Sequence, residues 1–311
     1  LPSVKLEAMS QYVTPSRTPL PDAAKSNVYN LLQARAAQGQ KSLSFEFFPP
    51  REGTESTMWE TFENVLAVNA DFVSLTYGAG GSNQHKSLEV LDRMAPQILT
   101  VGHLTCVGAS RESSRETIRH FEAAGVRSIL ALRGDAPKDD PNALEKGQLK
   151  TALDLVELVR GETSLEVGVA AFPEGHPESP SLDHDAKVLQ MKQAAGAAYG
   201  VTQLFFGVKH YTDMVAAAQR HGATLPIIPG LMPVSNVKQL LRMAEMSGAA
   251  VPAQLAHQLE TTDEATARRI GMEYTINVGL RLLEQGAPGL HIFTLNKTEA
   301  AMELAAGVGL I

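Results

Sequence analysis

From Ser42 onward the chain alternates short apolar runs with longer stretches whose apolar residues recur at helical spacing. The strand candidates are Ser42–Phe48, Phe72–Tyr77, Leu99–Cys106, Arg127–Leu132, Glu166–Phe172, Gly200–Phe206, Pro226–Leu231 and Leu290–Leu295. Most are nearly continuous in apolar residues, the pattern of parallel strands covered on both faces. Between them, "SSRETIRHFEAAG" reads as a helix with a capping box from Ser113 to Glu116 and a stop at Gly125. "DHDAKVLQMKQAAG" runs to Gly196, "SNVKQLLRMAEMSG" from a Ser235 cap to Gly248, and "TTDEATARRIGMEYTINVGLRLLEQG" to Gly286. Unbroken strand–helix alternation of this kind predicts an α/β fold, a (β/α)8 TIM barrel. An open doubly wound sheet is the structural rival, and the missing G-x-G-x-x-G after the first strand counts against its dinucleotide-binding form. Residues 24–38 predict an extra N-terminal helix at the barrel bottom. The expected division is 1–40 as tail and helix and 41–311 as one barrel catalytic domain.

Within "SLSFEFFPPR" the strand alternation puts Leu43, Phe45 and Phe47 on one face and Ser44, Glu46 and Phe48 on the other. An isolated ionised carboxylate inside a protein is costly, so either the face of Glu46 is wet or the residue is kept for its proton. Other strands also end in polar groups: Thr76 before a Gly-rich turn, His103, Arg133-Gly134-Asp135, Phe172 to His176, Gln203, and Asn296-Lys297. Taken singly each has a plain explanation. Arg133 and Asp135 could be a structural ion pair, and His103 a hydrogen-bonded interior histidine. Together they converge on the C-terminal rim, where barrels carry their active sites.

Composition narrows the chemistry. The 311 residues carry a formal net charge of −7 and no Lys/Arg-rich run, which argues against a nucleic-acid surface. No apolar run approaches a membrane span, and the first residues lack a signal-peptide pattern; residues 1 to about 20 are set aside as a tail. Cys106 is the only cysteine, so an intramolecular disulfide is impossible; it reads as a core residue, in keeping with a reducing compartment. No zinc-ligand spacing or G-x-S-x-G elbow occurs, so no metal is expected. A Schiff-base aldolase would want a lysine within a strand, and Lys297, after the eighth, is its only candidate. A non-enzymatic binding barrel leaves Glu46 without a task.

In order along the chain, "SFEFFPPR", "FVSLTYGAGGS", "HLTC", "ALRGD", "AAFPEGHPES", "TQLFFG", "IIPGLMPVSN" and "HIFTLNK" resemble the bacterial methylenetetrahydrofolate reductases, from Ser42 to about Gly309. The resemblance implies a cytoplasmic, commonly oligomeric barrel with non-covalent FAD. NADH or NADPH reduces the flavin and departs, and the reduced flavin then passes hydride to 5,10-methylenetetrahydrofolate. Glu46 matches the family's general acid: opening the imidazolidine ring makes N10 a leaving group that needs a proton, and a carboxyl in a dry lumen can hold one near neutral pH. Asp135 matches a carboxylate beside flavin and pterin, and Arg133 with Gly134 a contact to the cofactor's polar chain. Thr76, His103 and Phe172 match flavin contacts; His176, Asp185 and Lys192 match positions around the ribityl and diphosphate groups. Gln203 matches a pterin-recognising amide, Gln239 and Lys297 further substrate positions, and Gly80 and Gly81 a close backbone approach to cofactor. Asn83 to Lys86, Thr151, Val188, Met191 and Met243 depart from the family pattern, which predicts weak retention of FAD and keeps open a flavin-free enzyme with direct hydride transfer from the nicotinamide.

Overall fold

The computed structural model describes residues 17, 20–77, 84–136 and 140–311, with the side chains of residues 23 and 24 excepted. Nine parallel strands form one sheet: β1 (Ser42–Phe47), β2 (Phe72–Leu75), β3 (Thr100–Thr105), β4 (Ser128–Leu132), β5 (Glu166–Ala171), β6 (Tyr199–Thr202), β7 (Ile227–Ile228), β8 (Gly230–Leu231) and β9 (Gly289–Phe293). Their order, β7-β6-β5-β4-β3-β2-β1-β9-β8, is that of a barrel with eight positions. The expected seventh strand is divided into β7 and β8 at Pro229. Proline has no N–H to give to a ladder, so the segment changes partners there: β7 pairs with β6 and β8 with β9. The seam is closed by Pro229 O, which accepts from His291 N at 3.0 Å, and by the Thr202 hydroxyl, which accepts from Gly230 N at 2.8 Å.

Alternation sorts the strand residues into two environments. Leu43, Phe45 and Phe47 of β1 are fully buried against the surrounding helices, with Phe62 and Met58 of α2 (Glu55–Ala67) among their layer. The lumen side is different at its two ends. At the bottom, Phe72, Val101, Leu130, Tyr199, Val201 and Ile228 join Val28, Leu31 and Leu32 of α1 (Val28–Ala37), which closes the N-terminal mouth. Higher up, the inward positions turn polar.

Helix starts depart from expectation where several polar residues compete for the cap. Helix α4 (Arg111–Ala124) is capped by Ser110 with Ser113 as its reciprocal partner, three residues ahead of the expected box, while Gly125 ends it at φ 87°. Asn236, not Ser235, caps α9 (Val237–Ser247). Ser181 caps α7 (Leu182–Ala194).

The bottom plug is held by buried charge. The Glu166 carboxylate accepts from Val28 N at 2.9 Å and Tyr29 N at 2.8 Å, an anion at the helix N-terminus. Arg35, three per cent exposed, gives Asp71 Oδ1 two hydrogen bonds at 2.9 and 2.7 Å. Asp71 Oδ2 accepts from Leu43 N at 2.9 Å and pairs with Arg17. One carboxylate thus ties a segment before the plug, the plug itself and β1. Removing one partner of a buried pair strands the remaining charge. Asp71→Ala is therefore expected to lower unfolding free energy by roughly 3–5 kcal/mol in urea titration; an unchanged midpoint would show that the two guanidinium groups find water instead.

Candidate active site

Glu46 stands on the lumen face near the C-terminal end of β1 and is 8% exposed. Its backbone is fixed from β9: the Thr294 hydroxyl donates to Glu46 O at 2.7 Å, and the Asn296 amide both accepts from Phe48 N (3.0 Å) and donates to Phe48 O (2.9 Å). That clamp uses two successive left-handed residues, Leu295 (φ 49°) and Asn296 (φ 57°). Asparagine tolerates this region, leucine rarely does, and such strain gathers at functional sites.

Two imidazoles flank the carboxyl. Glu46 Oε2 lies 3.6 Å from His103 Nε2 and 3.7 Å from His291 Nε2. Burial pushes His103 down to about 4, against the pull of Glu46, so the ring is neutral at pH 7 and the contact is no ion pair there. Its Nε2 is buried without a hydrogen-bond partner among the described residues. His291 sits one layer lower, with Ser44 Oγ 2.8 Å from Nδ1 and Ser74 Oγ 3.1 Å from Nε2, and stacks on Phe72. No Lys or Arg forms an ion pair with Glu46 among the described residues. The lumen therefore presents a carboxyl beside the neutral ring of His103 and a hydrogen-bonded His291. His291, Ser44 and Ser74 were not singled out as functional from the sequence, although His291 alternates inward between Leu290 and Ile292 by the same rule that exposes Glu46 to the lumen.

A second group of expected residues gathers elsewhere on the rim. Arg133, Phe172, His176, Asp185 and Lys192 line one cavity of about 230 Å³, together with Glu178, His184 and Val188. Glu46 and His103 lie outside that lining. Asp185 Oδ2 accepts from His176 N at 3.0 Å, and the rings of Phe172 and His176 meet edge to face at 4.9 Å. Lys192 is 8% exposed, and its ammonium has no hydrogen bond or ion pair among the described residues. Burial lowers its pKa to about 8, with Asp185 opposing. A buried cation facing an open cavity suits an anionic ligand.

The remaining expected residues are spread around the rim. Gly134 turns the chain after β4 at φ 81°, where a Cβ would meet Val107 Cγ1 at 2.8 Å. Asp135 is exposed, and its charge adds to the field that raises Arg133. Thr76, just past β2, is tied to β1 by its N–H to Phe47 O at 3.0 Å. Gln203 follows β6, its Oε1 accepting from Leu204 N at 2.8 Å. Gln239 Oε1 accepts from Ser235 N at 2.8 Å, a helix-start role, and Lys297 is exposed ahead of α12 (Thr298–Gly307). Gly80, Gly81 and Asn83 lie outside the described residues. Thr151 caps α6 (Ala152–Glu162), and its carbonyl accepts from Cys106 Sγ at 3.4 Å; burial raises that thiol to about 11, an inert core cysteine.

Fold and site define a class: a (β/α)8 barrel with a lumen carboxyl that has no Lys or Arg partner among the described residues and, elsewhere on the rim, a cavity lined by a buried lysine. The family model for methylenetetrahydrofolate reductase matches residues 31–309. The chain is 33% identical to the 5,10-methylenetetrahydrofolate reductases of Pectobacterium carotovorum subsp. carotovorum and Escherichia coli (strain K12), over 88% of its length and 91% and 92% of theirs. It is also 33% identical to methylenetetrahydrofolate reductase (NADH) 1 of Arabidopsis thaliana, over 91% of this chain and 51% of that protein. In fold it is similar to a Clostridium thermocellum protein described as binding two copies of 5-methyl-5,6,7,8-tetrahydrofolic acid, with a TM-score of 0.60 and 18% identity over 90% of this chain and 98% of that one. The chain belongs to the methylenetetrahydrofolate reductase family, and is an oxidoreductase of that family. Among the described residues no helix is long and apolar enough to cross a membrane, and no metal-ligating cluster occurs.

An anion bound at Lys192 must pull the ammonium back toward its ordinary pKa, so binding takes up a proton above pH about 8. Sulfate affinity, measured by calorimetry, is expected to fall by up to about tenfold per pH unit above that point. Lys192→Met should bind sulfate weakly with no such slope; a slope retained in that variant would place the titrating group elsewhere.

Proposed function

We propose that this chain reduces 5,10-methylenetetrahydrofolate to 5-methyltetrahydrofolate, with FAD as resident cofactor and NADH or NADPH as donor, in ping-pong order. The donor set of the cavity fits the polar chain of a flavin dinucleotide. Lys192 would meet a phosphate as a buried point charge, Arg133 a second anionic oxygen, and His176 and Asp185 the hydroxyls between phosphate and ring. FAD, when bound, supplies a two-electron carrier between the nicotinamide and the folate.

The chain's own side chains handle the proton and the positioning. Opening the five-membered folate ring breaks the bond from the bridging carbon to N10 and leaves an N5-iminium. N10 departs as an amine only if it gains a proton, and Glu46 delivers it from a carboxyl oxygen. The neutral imidazole of His103 is what makes this workable: an imidazolium or a guanidinium at that place would hold the carboxyl ionised and empty of its proton. Gln203, which can donate and accept at once, orients the pterin. Asp135 contributes negative charge that favours the iminium cation. The observation that carries the reading is the lumen position of Glu46 beside two imidazoles, with no Lys or Arg paired to it among the described residues, in a chain of this family.

Glu46→Gln should leave flavin reduction by the nicotinamide within about twofold, yet slow folate reduction at least about a hundredfold, the usual scale of general acid catalysis. Anaerobic stopped-flow separates the two half-reactions, and an equal fall in both would remove the acid role. Asp135→Asn should slow the folate half-reaction and raise the potential of the bound flavin. An unchanged potential would sink the role assigned to that charge.

A flavin-free reductase is favoured by one feature: the apolar side chain of Val188 lines the cavity. Adding FAD to the purified protein decides between them. A visible flavin band retained through gel filtration supports the first reading. Folate reduction by the nicotinamide with no such band supports the second.

A further inference from the structure

We infer that Glu178 is a built-in competitor for the anion site: its carboxylate occupies Arg133, and an anionic ligand entering the cavity must displace it. The inference rests on reading that cavity as the seat of the cofactor's diphosphate region. Two basic side chains line it, Arg133 and Lys192. They are in opposite states. Lys192 is buried and has no ion-pair partner among the described residues, whereas Arg133 is fully engaged. Its Nη1 donates to Glu178 Oε2 at 2.5 Å and its Nη2 to Oε1 at 2.8 Å, the bidentate geometry in which a guanidinium also grips phosphate. A carboxylate and a phosphate cannot take that fork together.

Glu178 is held where it can do this by the loop after β5. His176 N–H donates to Asp185 at 3.0 Å, Glu178 N–H donates to His176 Nδ1 at 3.1 Å, and Ser179 N–H donates to His176 O at 2.8 Å. Farther back, Glu174 Oε2 accepts from Ala250 N at 2.8 Å, fastening the same loop to the segment after α9. The backbone of residue 178 is thus fixed, while its side chain is 62% exposed against 23% for Arg133. The carboxylate can therefore swing into water without breaking any loop contact, and the exchange leaves Arg133 paired throughout. Glu178 sets the affinity of the site by subtracting its own pairing from that of the ligand. Arg133 acts in the opposite sense and is required for the effect.

The test is a four-protein cycle: wild type, Glu178→Gln, Arg133→Gln and the double variant, each shown to be folded by circular dichroism. FAD is titrated into apoprotein and followed by quenching of flavin fluorescence, and inorganic pyrophosphate is titrated separately by calorimetry. Glu178→Gln is expected to tighten both ligands by about three- to fivefold, the scale of an exposed ion pair, with no gain in the Arg133→Gln background. Equal or weaker binding by Glu178→Gln, or the same gain without Arg133, overturns the competitor role. If no variant takes FAD but pyrophosphate still tightens in Glu178→Gln, the flavin reading fails and the competitor role stands. If neither ligand binds any of the four proteins, both are overturned.

Discussion

The contact on which this molecule turns is that between the Glu46 carboxyl and the neutral ring of His103, 3.6 Å apart in the barrel lumen. Burial, with the field of His291 adding to it, keeps His103 uncharged at neutral pH against the pull of Glu46. Had the pull of Glu46 outweighed burial and kept the ring protonated, the contact would be a salt bridge. The surrounding framework serves this arrangement. The segment after β9 clamps the exit of β1 through Thr294 and Asn296, and His291 lies below between the hydroxyls of Ser44 and Ser74.

Electrostatics elsewhere in the barrel follow a different plan. Ionisable groups are buried at the bottom, where Arg35 and Asp71 are paired and Glu166, its carboxyl pushed up by burial, caps a helix, and there they hold the plug. At the rim, Lys192 is buried with no ion pair among the described residues and lines a cavity. The first arrangement is satisfied within the chain and resists change. The second is satisfied only by something that enters. This contrast, more than the number of polar residues, separates structural charge from site charge in this fold.

Much of this was legible along the chain. The alternation in Ser42–Phe47 is enough to put Leu43, Phe45 and Phe47 against the helices and Glu46 in the lumen, because a parallel strand leaves no third environment. The eight-position barrel followed from the same periodicity. What escaped has identifiable causes. The break at Pro229 was written in the residue itself, but its consequence, a strand that changes neighbours, depends on ladder geometry across the seam. The helix caps slipped where "GASRESS" and "VSN" offer several polar residues, and local sequence does not choose between Ser110 and Ser113 or between Ser235 and Asn236. The Arg133–Glu178 pair joins two different strand-end loops, so no spacing rule could have found it.

The most direct measurement is the titration of His103 by NMR in protein labelled with nitrogen-15 at histidine, assigned by comparison with His103→Gln. The account predicts ring nitrogens of a neutral imidazole throughout the physiological range, with protonation only near pH about 4. A ring still protonated at pH 7, which requires a pKa raised above its ordinary value of about 6.5, would make the Glu46 contact an ion pair and contradict the account at its centre.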